Sequence, residues 1–291
     1  MALTLKSTPA RSVFKKMMGQ NNHFLITILV GLDSVESGEA TLSPEFSTSW
    51  DPVDVRRSAR RSRDFATKAL LAWAVDSLDA YRRQLSSPAN VYLEIAEWNA
   101  MNAEEGLWHR LQYLAQVSGA QLGPEKELVQ LLLVWRNKVV HTRSRDGVPA
   151  ELKQRLLDDR SRISTGYRGL DIRRAIEAAS RGDAPSFKEI TSLVTAAHNF
   201  VSGVDTAIAR RTDIDACLRS ALSEYLAVNP AERSRNIWDR DRDRRRASIL
   251  QVAHNYGMTA GDGSSAVSEQ FVHQLMSWTA IEARQQLTSS K

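Results

Sequence analysis

One short run of this chain has residue types and spacing that can do chemistry with nothing added: Arg136-Asn137-Lys138-Val139-Val140-His141. Histidine titrates near neutrality, so it can take or give a proton at pH 7. Arginine stays charged, and its planar guanidinium holds a phosphate through two parallel hydrogen bonds. The amide of Asn137 can orient an imidazole or hold a phosphate oxygen. RNA brings its own nucleophile, the 2′-hydroxyl. A base that removes the hydroxyl proton, with cations around the five-coordinate phosphorus, can therefore cut RNA without a metal ion. Lys138, Arg143 and Arg145 sit in or just beyond the run and are expected to contact substrate phosphates.

These residues need a helix to place them. Pro124, Glu125 and Glu127 have the composition of a helix start. Asp146-Gly147-Val148-Pro149 has that of a stop. With Leu128 at 0° and 100° per residue, Leu131, Leu132, Trp135 and Val139 form one apolar stripe within about 60° of it. Asn137, Gln130 and His141 share the opposite face, at about 180°, 200° and 220°, and Arg136 lies on the flank at about 80°. Leu133 and Val134 border the polar strip. A helix apolar on two sides is expected to be buried on two sides. The simplest second partner is another copy of the chain, which would join two polar strips in one cleft.

The six-residue run resembles the signature of the HEPN family: Arg, a polar residue, then His after four to six intervening positions. The likeness covers roughly residues 12–211. It implies a bundle of four or five helices with the motif on a late central helix. It also implies a metal-independent endoribonuclease that needs no cofactor, dimerises through the motif helix and leaves a 2′,3′-cyclic phosphate. Such enzymes act in toxin, abortive-infection and antiphage defence systems, where an antitoxin or regulatory protein is a further partner. By this resemblance Arg136 and His141 are catalytic and Asn137 supports them. The implied substrate is single-stranded RNA or tRNA.

Composition agrees with a folded protein of this size. The 291 residues are 42% hydrophobic and 25% charged, ordinary values for a globular chain with room for a core. The formal net charge is +5, and arginine outnumbers lysine by roughly three to one, which suits contact with phosphate. Cys217 is the single cysteine, so no internal disulfide or cysteine-based zinc site is expected, and a reducing cytoplasmic setting fits. The most apolar stretch, Phe24 to Leu32, falls well short of the ~18 residues of a membrane span and reads as a core helix.

Apolar residues recur at three-to-four spacing along most of the chain, and alternating strand-like patterns are scarce, so the fold class is all-α. Residues 1–11 read as a loose start. A first helix follows from about Ser12 to Ser34. A long helix is expected to start at Asp51-Pro52 and to end at Ser87-Pro88. Two shorter helices lie near Val91–Trp98 and Glu104–Val117, ahead of the motif helix. Asp158–Gly169 reads as a loop or broken helix, with helices at Asp171–Ser180 and Ser186–Arg211 behind it. The boundary is placed at 211: a HEPN-like bundle over 1–211 and a helical appendage over 212–291.

Other signals weigh less. Arg56 to Arg63 reads as a solvated face or an RNA-steering surface. Asp239-Arg240-Asp241-Arg242-Asp243 opens like a calcium loop, but Arg244 stands where glycine is needed and Leu250 where glutamate is needed. The other five histidines have no metal-ligand spacing. Two functional readings remain: an RNA-cleaving enzyme, and a non-catalytic helical module that binds RNA, a nucleotide or a protein partner.

Overall fold

A computed structural model of the chain describes residues 3–41, 43–46, 52–86, 91–140, 147–260 and 267–288. The fold is all-α: the described residues form fourteen α-helices and one two-stranded ribbon. In chain order these are β1 (Leu3–Leu5), α1 (Pro9–Ser37), α2 (Val55–Gln84), α3 (Ile95–Ala103), α4 (Gly106–Ser118), α5 (Glu125–Val140), α6 (Ala150–Asp158) and α7 (Arg160–Gly166). Then come α8 (Ile172–Arg181), α9 (Phe187–Arg211), α10 (Ile214–Ala227), α11 (Pro230–Trp238), α12 (Arg242–Asn255), β2 (Met258–Ala260), α13 (Glu269–Ser277) and α14 (Ala280–Thr288).

Contacts group the chain into two units that do not follow the 211/212 boundary. One combines Met1–Ser12, Tyr81–Ala120 and Gly203–Lys291; the other combines Val13–Ala80 and Gln121–Ser202. The grouping is discontinuous because α2 and α9 are each long enough to contribute residues to both. The helices expected as a separate appendage belong with the N-terminal strand and with α3 and α4.

In the first unit, β1 pairs antiparallel with β2, Thr4 facing Thr259. Residues 3–5 are thus a strand, where a loose start was expected, because their partner lies 255 residues away and leaves no local signal. Gly257 turns the chain into β2 at φ +81°, and a Cβ there would come within 2.3 Å of the Ser7 carbonyl oxygen, so this position requires glycine. Asp205, fully buried on α9, accepts from the Thr8 backbone N–H at 3.0 Å, the Thr8 hydroxyl at 2.5 Å and the Tyr81 hydroxyl at 3.4 Å. Arg211 donates to Glu97 at 2.9 Å and to the Val117 carbonyl at 2.8 Å, tying α3 and the end of α4 to α9. Arg245 donates to the carbonyls of Met276, Trp278 and Trp238, satisfying the end of α13.

In the second unit, α5 packs against α6 and α8. Trp135 is fully buried and donates its indole N–H to the Asp183 carbonyl at 2.9 Å. Tyr167 donates to Glu125 at 3.2 Å, and Ser192 of α9 donates to the Tyr167 carbonyl at 3.0 Å. The ion pairs Arg60–Glu36 at 3.0 Å and Arg63–Asp33 make α1 and α2 an antiparallel pair. Arg56, Arg57 and Arg61 in the same run are exposed and form no ion pair among the described residues.

The first helix is not the core helix expected from its apolarity. Leu25 and Leu29 are buried, but Phe24, Ile26, Ile28 and Val30 are 52, 43, 49 and 63% exposed. Residues four apart make a stripe only one side chain wide, and the rest of the apolar run is left facing outward.

Candidate functional site

Helix α5 presents the motif at its C-terminal end. Leu128, Leu131, Leu132 and Trp135 are fully buried, as the helix angles require. Val139 is half-buried, near the frayed end of the same stripe. Asn137 is exposed on the opposite side.

The second apolar border is met differently from the expectation. Leu133 is 6% exposed and Val129 fully buried, both covered within the chain. The buried arc of α5 spans about 200°, from Leu131 round to Leu133. The Leu133 side of the polar strip is therefore covered within the chain, while Val134 on its other side is half-buried.

Arg136 and Asn137 come together. One terminal nitrogen of Arg136 donates to the Asn137 side-chain oxygen at 2.9 Å, and the other lies 3.7 Å from a carboxylate oxygen of Asp76 on α2. The Arg136 Nε is buried and has no acceptor among the described residues. Asp76 is 63% exposed on its side chain, so this ion pair is a loose one and contributes little stability. Its carboxylate occupies the kind of position that a phosphate oxygen takes beside a guanidinium.

Lys138 points elsewhere. A Cβ built at Gly182 would lie 3.1 Å from the Lys138 Cγ, so the lysine stem packs along the turn after α8. Gln130, expected on the same polar strip as Asn137, accepts from Arg155 of α6 at 3.1 Å, and Arg155 also lies 3.5 Å from Glu127. The polar strip is thus braced in its first half and open at Asn137. His141, Arg143 and Arg145 lie outside the described residues.

Asp76 is the one site residue that the sequence reading passed over. It interrupts an otherwise apolar half of α2, on the exposed stripe three residues after Trp73, itself 54% exposed. A carboxylate at such a place is ordinary until the neighbouring helix is known.

The other chemically suggestive residues are structural. Burial pushes the Cys217 thiol up to about 11, so it stays protonated at neutral pH and is no nucleophile. Asp241 caps α12 by accepting from the Arg244 N–H at 3.0 Å, and Arg244 pairs back with it at 3.4 Å, so this part of the charged run pairs with itself. Among the described residues no group of three or more metal-ligating side chains converges, and no helix is long and apolar enough to cross a membrane. No family model, no curated protein and no solved structure matches this chain.

Proposed function

We propose that the chain is a metal-independent endoribonuclease of the HEPN kind, with Arg136, Asn137 and His141 as its working residues. The observation that carries the reading is the Arg136–Asn137 pair near the C-terminal end of α5, with a carboxylate loosely seated beside the guanidinium. In this scheme neutral His141 takes the proton of a 2′-hydroxyl. The 2′-oxygen forms a bond to the adjacent phosphorus while the bond from phosphorus to the 5′-oxygen breaks. The 5′-oxygen leaves with a proton as a hydroxyl, and the upstream strand keeps a 2′,3′-cyclic phosphate. Arg136 carries the charge that builds on the phosphorane oxygens, and Asn137 holds the guanidinium in place. Exposed Arg56, Arg57 and Arg61 on α2 suit the approach of an RNA strand. A role as a toxin or antiphage effector follows from the family likeness.

The purified chain is expected to cut single-stranded RNA or tRNA in EDTA and to leave cyclic phosphate ends. His141→Ala and Arg136→Ala should each lower the rate by about 10³-fold and leave the far-UV circular dichroism unchanged. A His141→Ala protein that cuts at the wild-type rate overturns the assignment.

A further inference from the structure

Two grooves meet on the outer side of α2. The first, about 610 Å³, lies between α1 and α2, with Phe24 and Ile28 on one wall and Phe65 and Trp73 on the other. Phe24, Phe65 and Trp73 are 52, 75 and 54% exposed. Three aromatic side chains this open leave on the order of 400 Å² of apolar surface in water. A contiguous patch of that size marks a binding surface. The side-chain amides of Gln20 and Asn21 line the same groove. The second groove, about 620 Å³, runs past the start of α2 and is lined by Arg57, Ser58 and Arg61. Ser62 and Phe65 belong to both, so the aromatic space opens into the cationic one. Arg57 and Arg61 are exposed and form no ion pair among the described residues. Asp54 also lines the cationic end, but its carboxylate is held by the Arg57 N–H at 2.9 Å.

We propose that the joined grooves are a track for single-stranded RNA, with bases stacked on Phe65 and Trp73 and phosphates held by Arg57 and Arg61. Charge selects the occupant. The open aromatic groove ends on arginines, so its ligand joins flat apolar groups to a chain of anions. Each part of the track matches one part of a nucleotide: rings take base faces, amides take base edges, and guanidinium groups take phosphates. A duplex keeps its base faces stacked inside and has none to offer the rings. A protein helix or an acyl chain can fill an apolar groove whether or not its walls carry rings, whereas an unpaired base needs the ring itself.

The track leads to the motif. Along α2, Arg57, Arg61, Phe65, Trp73 and Asp76 follow one another over about 28 Å, room for on the order of five nucleotides. Asp76 lies 3.7 Å from Arg136, so a strand laid along α2 reaches the motif arginine at its Trp73 end. RNA as the ligand rests on the ribonuclease reading. The track adds a requirement to that reading: the bond that is cut has several unpaired nucleotides on one side, held away from the motif.

The test uses a fluorescent 2′-O-methyl RNA strand of about twelve nucleotides, which lacks the 2′-hydroxyl nucleophile and so binds without being cut. Its affinity for the full chain is read by fluorescence anisotropy. Phe65→Leu and Trp73→Leu should each lower the affinity by about tenfold and leave the far-UV circular dichroism unchanged, since both side chains are exposed. Phe65→Tyr and Trp73→Phe keep a ring and should stay within about threefold of wild type. Arg57→Gln and Arg61→Gln should each reduce the slope of log affinity against log salt by about 0.7. A duplex of the same sequence should bind at least about tenfold more weakly than the single strand. A wild-type chain that does not bind the strand at low salt, or that binds the duplex as tightly, overturns the proposal. Leucine variants that bind as tightly as wild type overturn it too, and leave the groove to an apolar partner such as a protein helix. Cleavage of ordinary RNA is scored separately. A chain that binds the blocked strand through its rings yet cuts nothing fails the ribonuclease reading alone. One that still cuts at the wild-type rate with both leucine substitutions fails the track alone.

Discussion

The two units treat their side chains in opposite ways. The unit built from β1, α3, α4 and α10 to α14 is tied together by polar contacts: a buried carboxylate receives three donors, Arg211 spans two helices, and Arg245 closes a helix end through its terminal nitrogens. The unit that holds the motif differs in the apolar surface it leaves exposed. All but three of the large apolar side chains exposed among the described residues belong to it, the exceptions being Ile95, Val228 and Ile281. Exposed Arg56, Arg57 and Arg61 lie on the same helix as exposed Phe65 and Trp73. Surface that is left apolar and charged at once is disposed toward other molecules, whereas satisfied polar ties serve the fold alone. The comparison sets exposed apolar surface in one unit against long-range polar ties in the other.

Substitutions can break that contrast. The largest effect is expected at Asp205→Ala, which strands the Thr8 N–H, the Thr8 hydroxyl and the Tyr81 hydroxyl in a buried place. The loss should be about 3 kcal/mol in urea unfolding. A loss under about 1 kcal/mol would mean that the polar network is no anchor. Glu97→Gln is next. Burial works against the Glu97 charge, but hydrogen bonds from Arg211 and the Glu94 N–H outweigh it and hold the carboxyl below its usual range. A lowered folded-state value contributes stability above the ordinary carboxylate range, and that stability is lost as pH falls through the lowered value. Wild type should therefore exceed Glu97→Gln by about 1 kcal/mol at pH 7, and thermal melts of the two should converge toward pH 2. The smallest effect is expected at Val30→Lys on the open side of α1, within about 0.5 kcal/mol of wild type. A large loss there would show that the exposed apolar run already supports its own unit.

Helix content was legible in the residues because apolar spacing and caps are local. The start of the motif helix and both ends of α8 and α9 fall within a residue or two of the boundaries read from their composition. Where two signals competed, the finer choice went astray. Asp51-Pro52 looked like the start of the long helix, but Asp54 accepts the Arg57 N–H at 2.9 Å and α2 begins at Val55. Between α13 and α14, Thr279-Ala280-Ile281-Glu282 has capping-box spacing. The Thr279 N–H donates to Glu282 at 2.8 Å, and the Glu282 N–H to the Thr279 hydroxyl at 3.2 Å, so α14 starts anew there. Long-range features were not legible. Nothing near Leu3 announces Ala260, nothing near Arg136 announces Asp76, and no helix angle tells whether Leu133 is covered by its own chain or by another.

The pairing of β1 with β2 sets an order on the ribosome. All residues of the motif unit have been made once residue 202 is added, whereas Leu3–Leu5 wait for Met258–Ala260. At ordinary elongation rates that delay is roughly 3–11 s. During it an apolar N-terminal strand has no edge to join, and such an edge is open to strangers. The first residues made are among the last to find their place, so a nascent chain truncated before Met258 would carry a complete motif unit and an unpaired β1.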